Sequence, residues 1–260
     1  GAQTGNVFLA YKNIDEIDAL INKWTTEKNP QYDFIADDQV QHSIWIVNDD
    51  NVIKDITKLF KTTVPHSYIA DGHHRAASAA KVRQAMGNKA TDNAGYFLTT
   101  LFPSNQLSIM DYNRVVKDLN GLSANEFLQK LESIFSIEKK DKAYRPENLH
   151  DFGLYLENQW YKLSAKPGTY NNDPIGVLDI SILQEQVLGP LLGIHDQRTD
   201  KRIDFVGGIR GLEELEKRVN SGEMKLAISL FPVSIEQLFN IADSGNVMPP
   251  KSTWFEPKLR

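Results

Sequence analysis

Ser67-Tyr68-Ile69-Ala70-Asp71-Gly72-His73-His74-Arg75-Ala76-Ala77 is the stretch from which fold and function are read. Ser67 to Ala70 predicts a short strand that Asp71-Gly72 breaks, and His73 to Met86 predicts an alanine-rich helix closed by Gly87. A strand that enters a helix through a glycine turn leaves the first helical amides unpaired and aimed at the turn, where the helix dipole adds positive character. Gly72 can take a positive φ and lets a ligand approach the backbone. Arg75 adds a cationic fork, and the imidazoles of His73 and His74 add donors. Together they make a phosphate cradle, with Gly72 and Arg75 as binding residues and Asp71, His73 and His74 as candidate catalytic groups. The alternative is that Asp71 only caps the helix and the histidines are solvated surface.

Working outward, Val7 to Tyr11 predicts a strand, and Asn13 or Asp15 is the expected cap of a helix that runs to Lys28. Its apolar face is Ile14, Ile17, Leu20, Ile21 and Trp24. His42 to Val47 predicts a strand and Val52 to Phe60 a helix. Tyr96 to Phe102 and Gln106 to Met110 predict a hairpin around Pro103-Ser104-Asn105. Ser123 to Phe135 predicts a helix opened by a capping box of Ser123 and Glu126. Asp151 to Leu156 and Trp160 to Ala165 predict a second hairpin, with one solvated face. Asp179 to Leu192, Gly211 to Val219 and Ser234 to Ala242 are expected helices, and Met224 to Phe231 a strand.

This order predicts an α+β fold, a mixed sheet with flanking helices rather than a doubly wound parallel sheet. The soft boundary runs from Lys139 to His150, which divides a lobe of residues 1–140, holding the phosphate-binding turn, from a second α+β lobe of residues 141–260.

Composition narrows the function. The chain has 260 residues, 41% hydrophobic and 24% charged, which fits one or two globular domains and excludes collagen-like, coiled-coil or wholly disordered chains. A net charge of -5 does not attract nucleic acid phosphates, so nucleic acid is not an expected partner. The absence of cysteine excludes disulfides, thiolate metal sites and a cysteine nucleophile. No apolar run is long enough for a membrane span, and no signal peptide is visible, so a cytoplasmic protein without membrane contact is expected. The start at Gly1-Ala2 without methionine suggests a piece of a longer protein.

Two further stretches carry chemistry. Asp196 to Asp204 packs three cations and three acids within nine residues. Arg198, Asp200, Lys201 and Arg202 are the candidate substrate-binding residues there; the alternative is a solvated loop laced with weak ion pairs. In Pro249-Pro250-Lys251-Ser252-Thr253, Lys251 and Ser252 are candidate phosphate or nucleotide contacts; the alternative is a rigid edge strand. Asp111-Tyr112-Asn113-Arg114 reads equally as site or structure, and His150 and His195 as structural or surface groups. No metal site is expected: adjacent His73 and His74 diverge on a helix, and there is no His-Glu-x-x-His. Walker, Rossmann and nucleophile-elbow signatures are missing too. Zinc, haem and flavin are therefore not expected.

Asp-Gly-His-His-Arg at residues 71–75 resembles the signature turn of the ParB/sulfiredoxin superfamily, where the turn binds nucleotide phosphates. ParB proteins carry Gly-Glu-Arg-Arg there and sulfiredoxins Gly-Gly-Cys-His-Arg; the Asp-Gly-His-type turn of the free-serine kinases is the most similar. Nearly the whole chain resembles the uncharacterised domain of unknown function 1015 family, through Tyr68 to Ala76, Asp111 to Val116, Arg198 to Gly208 and Met248 to Leu259. The resemblance implies a ParB/sulfiredoxin-like core. It excludes sulfiredoxin chemistry, which needs a cysteine, and no helix-turn-helix of the ParB type follows. The early carboxylate base of the serine kinases has no match here.

The resulting expectation is a nucleotide-dependent phosphotransferase for a small metabolite, by resemblance an amino acid such as serine. The nucleoside di- or triphosphate would bring magnesium with it. A phosphatase or nucleotidase at the same turn, and a non-catalytic nucleotide or phosphometabolite sensor, are the alternatives.

Overall fold

The structure is a computed structural model and describes residues 3, 5–89 and 91–257. The chain folds into two compact units, Gly1–Leu107 and Ser108–Arg260, both α+β.

The first unit contains β1 (Val7–Tyr11), α1 (Asp15–Glu27), β2 (Tyr32–Ile35), β3 (Gln41–Ile44), α2 (Asp50–Thr63), β4 (Tyr68–Asp71), α3 (His73–Met86) and β5 (Thr99–Pro103). All five residues of β1 are buried, as an uninterrupted apolar run in a central strand should be. It pairs antiparallel with β4 and parallel with β5, giving a small mixed sheet in the order β4-β1-β5. α1 starts from Ile14 without a side-chain cap, so neither Asn13 nor Asp15 caps it; Asn13 Nδ2 instead donates to Asp15 Oδ1 at 3.1 Å. The Asp49 carboxylate caps α2, accepting from the amides of Asn51 and Val52. The strand expected at 42–47 stops at Ile44 and pairs with β2, a short exposed strand that the sequence did not reveal.

The second unit continues with β6 (Ser108–Met110), β7 (Tyr112–Val116), α4 (Ala124–Leu131), β8 (Phe135–Lys140), β9 (Asp151–Leu156), β10 (Gln159–Ala165) and α5 (Asp179–Leu183). A π-helical turn, Gln184–Leu188, extends α5. Then come β11 (Ile203–Gly207), α6 (Glu213–Asn220), β12 (Leu226–Leu230), α7 (Ile235–Asp243) and β13 (Trp254–Glu256). Six strands form one antiparallel sheet in the order β11-β7-β12-β9-β10-β8.

The hairpin expected over residues 96–110 does not form. β5 pairs with β1 and β6 with β13, because a 3₁₀ turn at Ser104–Gln106 ends the first strand before the chain can fold back. The division expected at 140/141 lies at 107/108, since β7 and β8 both belong to the large sheet. β8 also cuts short the helix expected to reach Phe135, although its capping box is present.

The hairpin of β9 and β10 forms as expected, but no face of β9 is solvated: all six residues are buried. Phe152, Leu154 and Leu156 pack with Phe127, Leu131, Ile182 and Leu183 from α4 and α5. Tyr155, on the opposite face, packs with Trp160, Val115 and Leu215 from α6. Helices thus cover both faces, and strand alternation separates two cores.

Candidate functional site

In the first unit, β4 ends at Asp71 and α3 begins at His73, with Gly72 between them at φ 94° and ψ 26°. This left-handed conformation is one that glycine adopts without steric cost. Gly72 is the N-cap of α3, and no side chain caps the helix. Asp71 is therefore not the cap; its carboxylate lies 3.3 Å from Arg75 Nη2, an exposed i,i+4 pair. The first amides of α3 keep the character of an anion site.

Arg75 folds back over the turn. A Cβ on Gly72 would meet Arg75 Nη2 at 2.9 Å and Nε at 3.1 Å. Arg75 Nε is shielded from solvent and has no hydrogen-bond partner among the described residues. A buried donor without an acceptor is costly, and here it stands beside amides that also lack a side-chain cap. His73 and His74 are exposed on the first turn of α3. Asp71, Gly72, His73, His74 and Arg75 thus share one strand–helix junction.

A groove of about 520 Å³ runs from this turn along α3. His74, Ser78, Val82 and Met86, spaced by four residues on one helix face, form one wall with Arg75 and Ala79. Thr91, Asn93, Ala94, Tyr96 and Phe97 line the other. Apart from His74 and Arg75, the sequence does not single these residues out, and Tyr96 and Phe97 fall within the strand expected from Tyr96 to Phe102. The available signal was the His74-Ser78-Val82-Met86 stripe on a helix that buries no residue.

The remaining candidates lie in the second unit. Arg198 pairs with Asp196 through Nε at 3.0 Å and Nη2 at 3.1 Å, which holds the Asp196 carboxyl at about 2. Arg202 makes the same fork with Asp200, at 3.2 and 2.8 Å, and donates to the carbonyls of Leu192 and Gly193, both at 3.0 Å. Arg202 and Asp200 therefore brace the loop, and Arg198 already holds an acid. Lys201 is exposed. Ser252 is buried and donates to Pro249 O. Lys251 has φ 59°, and its ammonium lies 5.5 Å from the centre of the Phe205 ring.

Arg114 ties these stretches together. It is fully buried and donates to Gln197 Oε1 at 3.1 Å, to Lys251 O at 2.9 Å and to Tyr112 O. Its guanidinium lies 5.1 Å from the centre of the Phe205 ring. Burial pulls its pKa down to about 9. Asp111 accepts from Asn113 Nδ2 at 2.6 Å, and its carbonyl accepts from Gly208 N at 2.7 Å. Residues 111–114, 197–208 and 249–254, far apart in sequence, thus meet around the buried Arg114. His150 is structural, its ring bonded to Val177 O at 3.0 Å and to the Tyr170 hydroxyl at 2.8 Å.

Among the described residues, no group of three His, Cys, Asp or Glu side chains could hold a metal ion, and no helix is long and apolar enough to cross a membrane.

Among solved structures, the chain is similar to a free serine kinase in complex with AMP, at 13% identity over 95% of this chain and 83% of that chain, with a TM-score of 0.43. A variant of a free serine kinase, also with AMP, matches at 15% identity over 98% and 90%, with a TM-score of 0.41. A conserved hypothetical protein from Pyrococcus furiosus matches at 15% identity over 95% and 86%, with a TM-score of 0.43. No curated protein matches the chain. The chain belongs to the family described as protein of unknown function DUF1015, whose model matches residues 1–181.

Proposed function

We propose that this protein is a phosphotransferase that moves a phosphoryl group from a nucleoside triphosphate to the hydroxyl of a small metabolite. The observation that carries this reading is the turn itself. A left-handed glycine opens an uncapped helix, and the shielded, unpartnered Nε of Arg75 stands over it. Backbone amides and a guanidinium fork suit phosphate oxygens. An amino acid such as serine is the acceptor class to test first.

In this reading, the amides behind Gly72 and the Arg75 guanidinium hold donor phosphates, and His73 and His74 meet charge on the transferring group. Asp71 accepts the proton of the acceptor hydroxyl. The new acceptor O–P bond forms as the bond to the leaving diphosphate breaks, and the products are a phosphoester and a nucleoside diphosphate. Magnesium would come with the nucleotide and offset the charge of its phosphates. Lys201, Lys251 and Arg198 remain proposed anion contacts of the second unit. Arg198 would have to exchange Asp196 for a substrate, whereas Asp200, Arg202 and Ser252 would act by shaping the loops.

The test is the melting temperature of the full chain with ATP, ADP, GTP, CTP or phosphoserine, each with and without magnesium, and of Arg75→Ala under the same conditions. A ligand at 100 times its Kd adds about 2.7 kcal/mol, enough to shift the melt. A shift with a nucleotide that disappears in Arg75→Ala supports the proposal. No shift with any nucleotide overturns it. Tight binding without turnover on any hydroxyl acceptor would favour a sensor.

A further inference from the structure

We infer that the groove along α3 is the base-binding half of the same site: it takes the flat heteroaromatic ring of a nucleotide by stacking, with Gln3, Ser78, Thr91 and Asn93 as neutral hydrogen-bonding groups in its lining. The inference rests on the phosphate reading of the turn.

Continuity is the first argument. His74 and Arg75 belong to the turn and also line the groove. From His74 to Met86 the helix rises by about 18 Å at 1.5 Å per residue, room for phosphates at its start and a ring further along. The groove's 520 Å³ lies within the range of about 300–1,000 Å³ usual for small-molecule sites.

The chemistry of the walls is the second argument. Tyr96 is 80% exposed, Phe97 42% and Val82 43%, so large apolar side chains face water where a ligand would cover them. Ala79 and Ala94 are short side chains that leave open space in the lining for a planar ring. Beyond Arg75 and His74, the described lining holds no Asp, Glu, Lys or Arg, its polar side chains being Gln3, Ser78, Thr91, Asn93 and Tyr96, so a neutral ring fits better than a second ionic group. Stacking is tolerant, because every base has a π face.

The experiment is calorimetric binding of ADP, GDP and inorganic pyrophosphate to the full chain and to Arg75→Ala, Tyr96→Ala, Phe97→Ala and Val82→Glu. All four positions are at least partly exposed, and circular dichroism checks that each variant folds. Arg75→Ala is expected to weaken all three ligands. The aromatic variants should weaken ADP about tenfold, the loss expected for one base–aromatic stack, and leave pyrophosphate unchanged. Val82→Glu should exclude ADP but not pyrophosphate. ADP and GDP should both lose affinity in Tyr96→Ala and Phe97→Ala, since stacking uses the π face that every base has. If Tyr96→Ala, Phe97→Ala and Val82→Glu bind ADP like the unaltered chain while Arg75→Ala does not, the base lies elsewhere and only the phosphate reading survives. If the unaltered chain binds neither pyrophosphate nor ADP, the phosphate reading fails and this inference with it.

Discussion

The Arg75 guanidinium lies across Gly72, close enough that a Cβ there would come within 2.9 Å of Nη2. A flexible guanidinium can move aside, so the clash alone costs little. The backbone conformation cannot adjust as easily: at φ 94°, Gly72→Ala is expected to cost about 1–2 kcal/mol, the usual left-handed penalty, read by urea unfolding. It should also displace Arg75 and abolish nucleotide binding. Undiminished binding would show that the space over Gly72 is not used.

Asp71→Asn separates catalysis from stability. The Asp71–Arg75 pair spans 3.3 Å with side chains 68% and 39% exposed, and exposed i,i+4 pairs contribute only about 0.3–0.5 kcal/mol. The melting temperature should hardly move. Turnover should fall by roughly 10²–10⁴, the range for a lost general base. Unchanged turnover with a hydroxyl acceptor would remove Asp71 from the reaction.

Arg114→Met should destabilise the second unit by about 3 kcal/mol or more. Methionine keeps apolar volume but leaves the buried Gln197 amide and the half-buried Lys251 and Tyr112 carbonyls without their donor, and an unmet buried acceptor costs about 1–3 kcal/mol. Hydrogen exchange at 249–256 should quicken, because the Lys251 carbonyl loses its anchor. Arg114→Lys should not rescue, since one ammonium cannot reproduce the planar fork.

Asp179 gives a pH test. Burial pushes its carboxyl from 3.8 up to about 7, against the hydrogen bond from His150 N–H that favours ionisation. Between those values the folded state holds a proton that the unfolded chain has released. The contribution of Asp179 to stability is therefore complete below about pH 4 and is lost as pH rises through about 7, with a slope of at most about 1.4 kcal/mol per pH unit. Asp179→Asn stays neutral throughout, so its stability relative to the parent should rise from pH 4.5 to 7.5 in urea unfolding. A constant difference would contradict the shift.

Gly153→Ala tests the packing of the large sheet. A Cβ at this position of β9 would sit 2.2 Å from Ser229 Oγ and 2.5 Å from the Tyr144 carbonyl. The carbonyl belongs to the backbone and cannot swing away, so the variant should lose at least the roughly 1–3 kcal/mol typical of an overpacked core, seen in the denaturation midpoint. Alanine at the open Gly168 site is strained by its φ of 85° but meets no neighbour and should cost less.

What could be read along the chain was local. The turn at 71–73 and the bounds of α3 follow from one glycine and one closing glycine, and the capping box of Ser123 from residues three apart. The exposed β2 was invisible because its residues bury nothing. The hairpin over 96–110 was misread because two neighbouring strands each found a partner distant in sequence.

Short-range sterics already specify the strand–glycine–helix junction and its cargo of Asp71, His73, His74 and Arg75, because a left-handed turn at this point calls for glycine. Tertiary structure alone decided that Arg75 folds over Gly72 with its Nε unpartnered, and that Tyr96 and Phe97 face α3 across a groove. It alone gave Arg198 and Arg202 to Asp196 and Asp200, and buried Arg114 where three distant stretches meet. Periodicity reports which residues share a face; which donor meets which acceptor depends on contacts between residues far apart in the chain, and a linear pattern does not encode them.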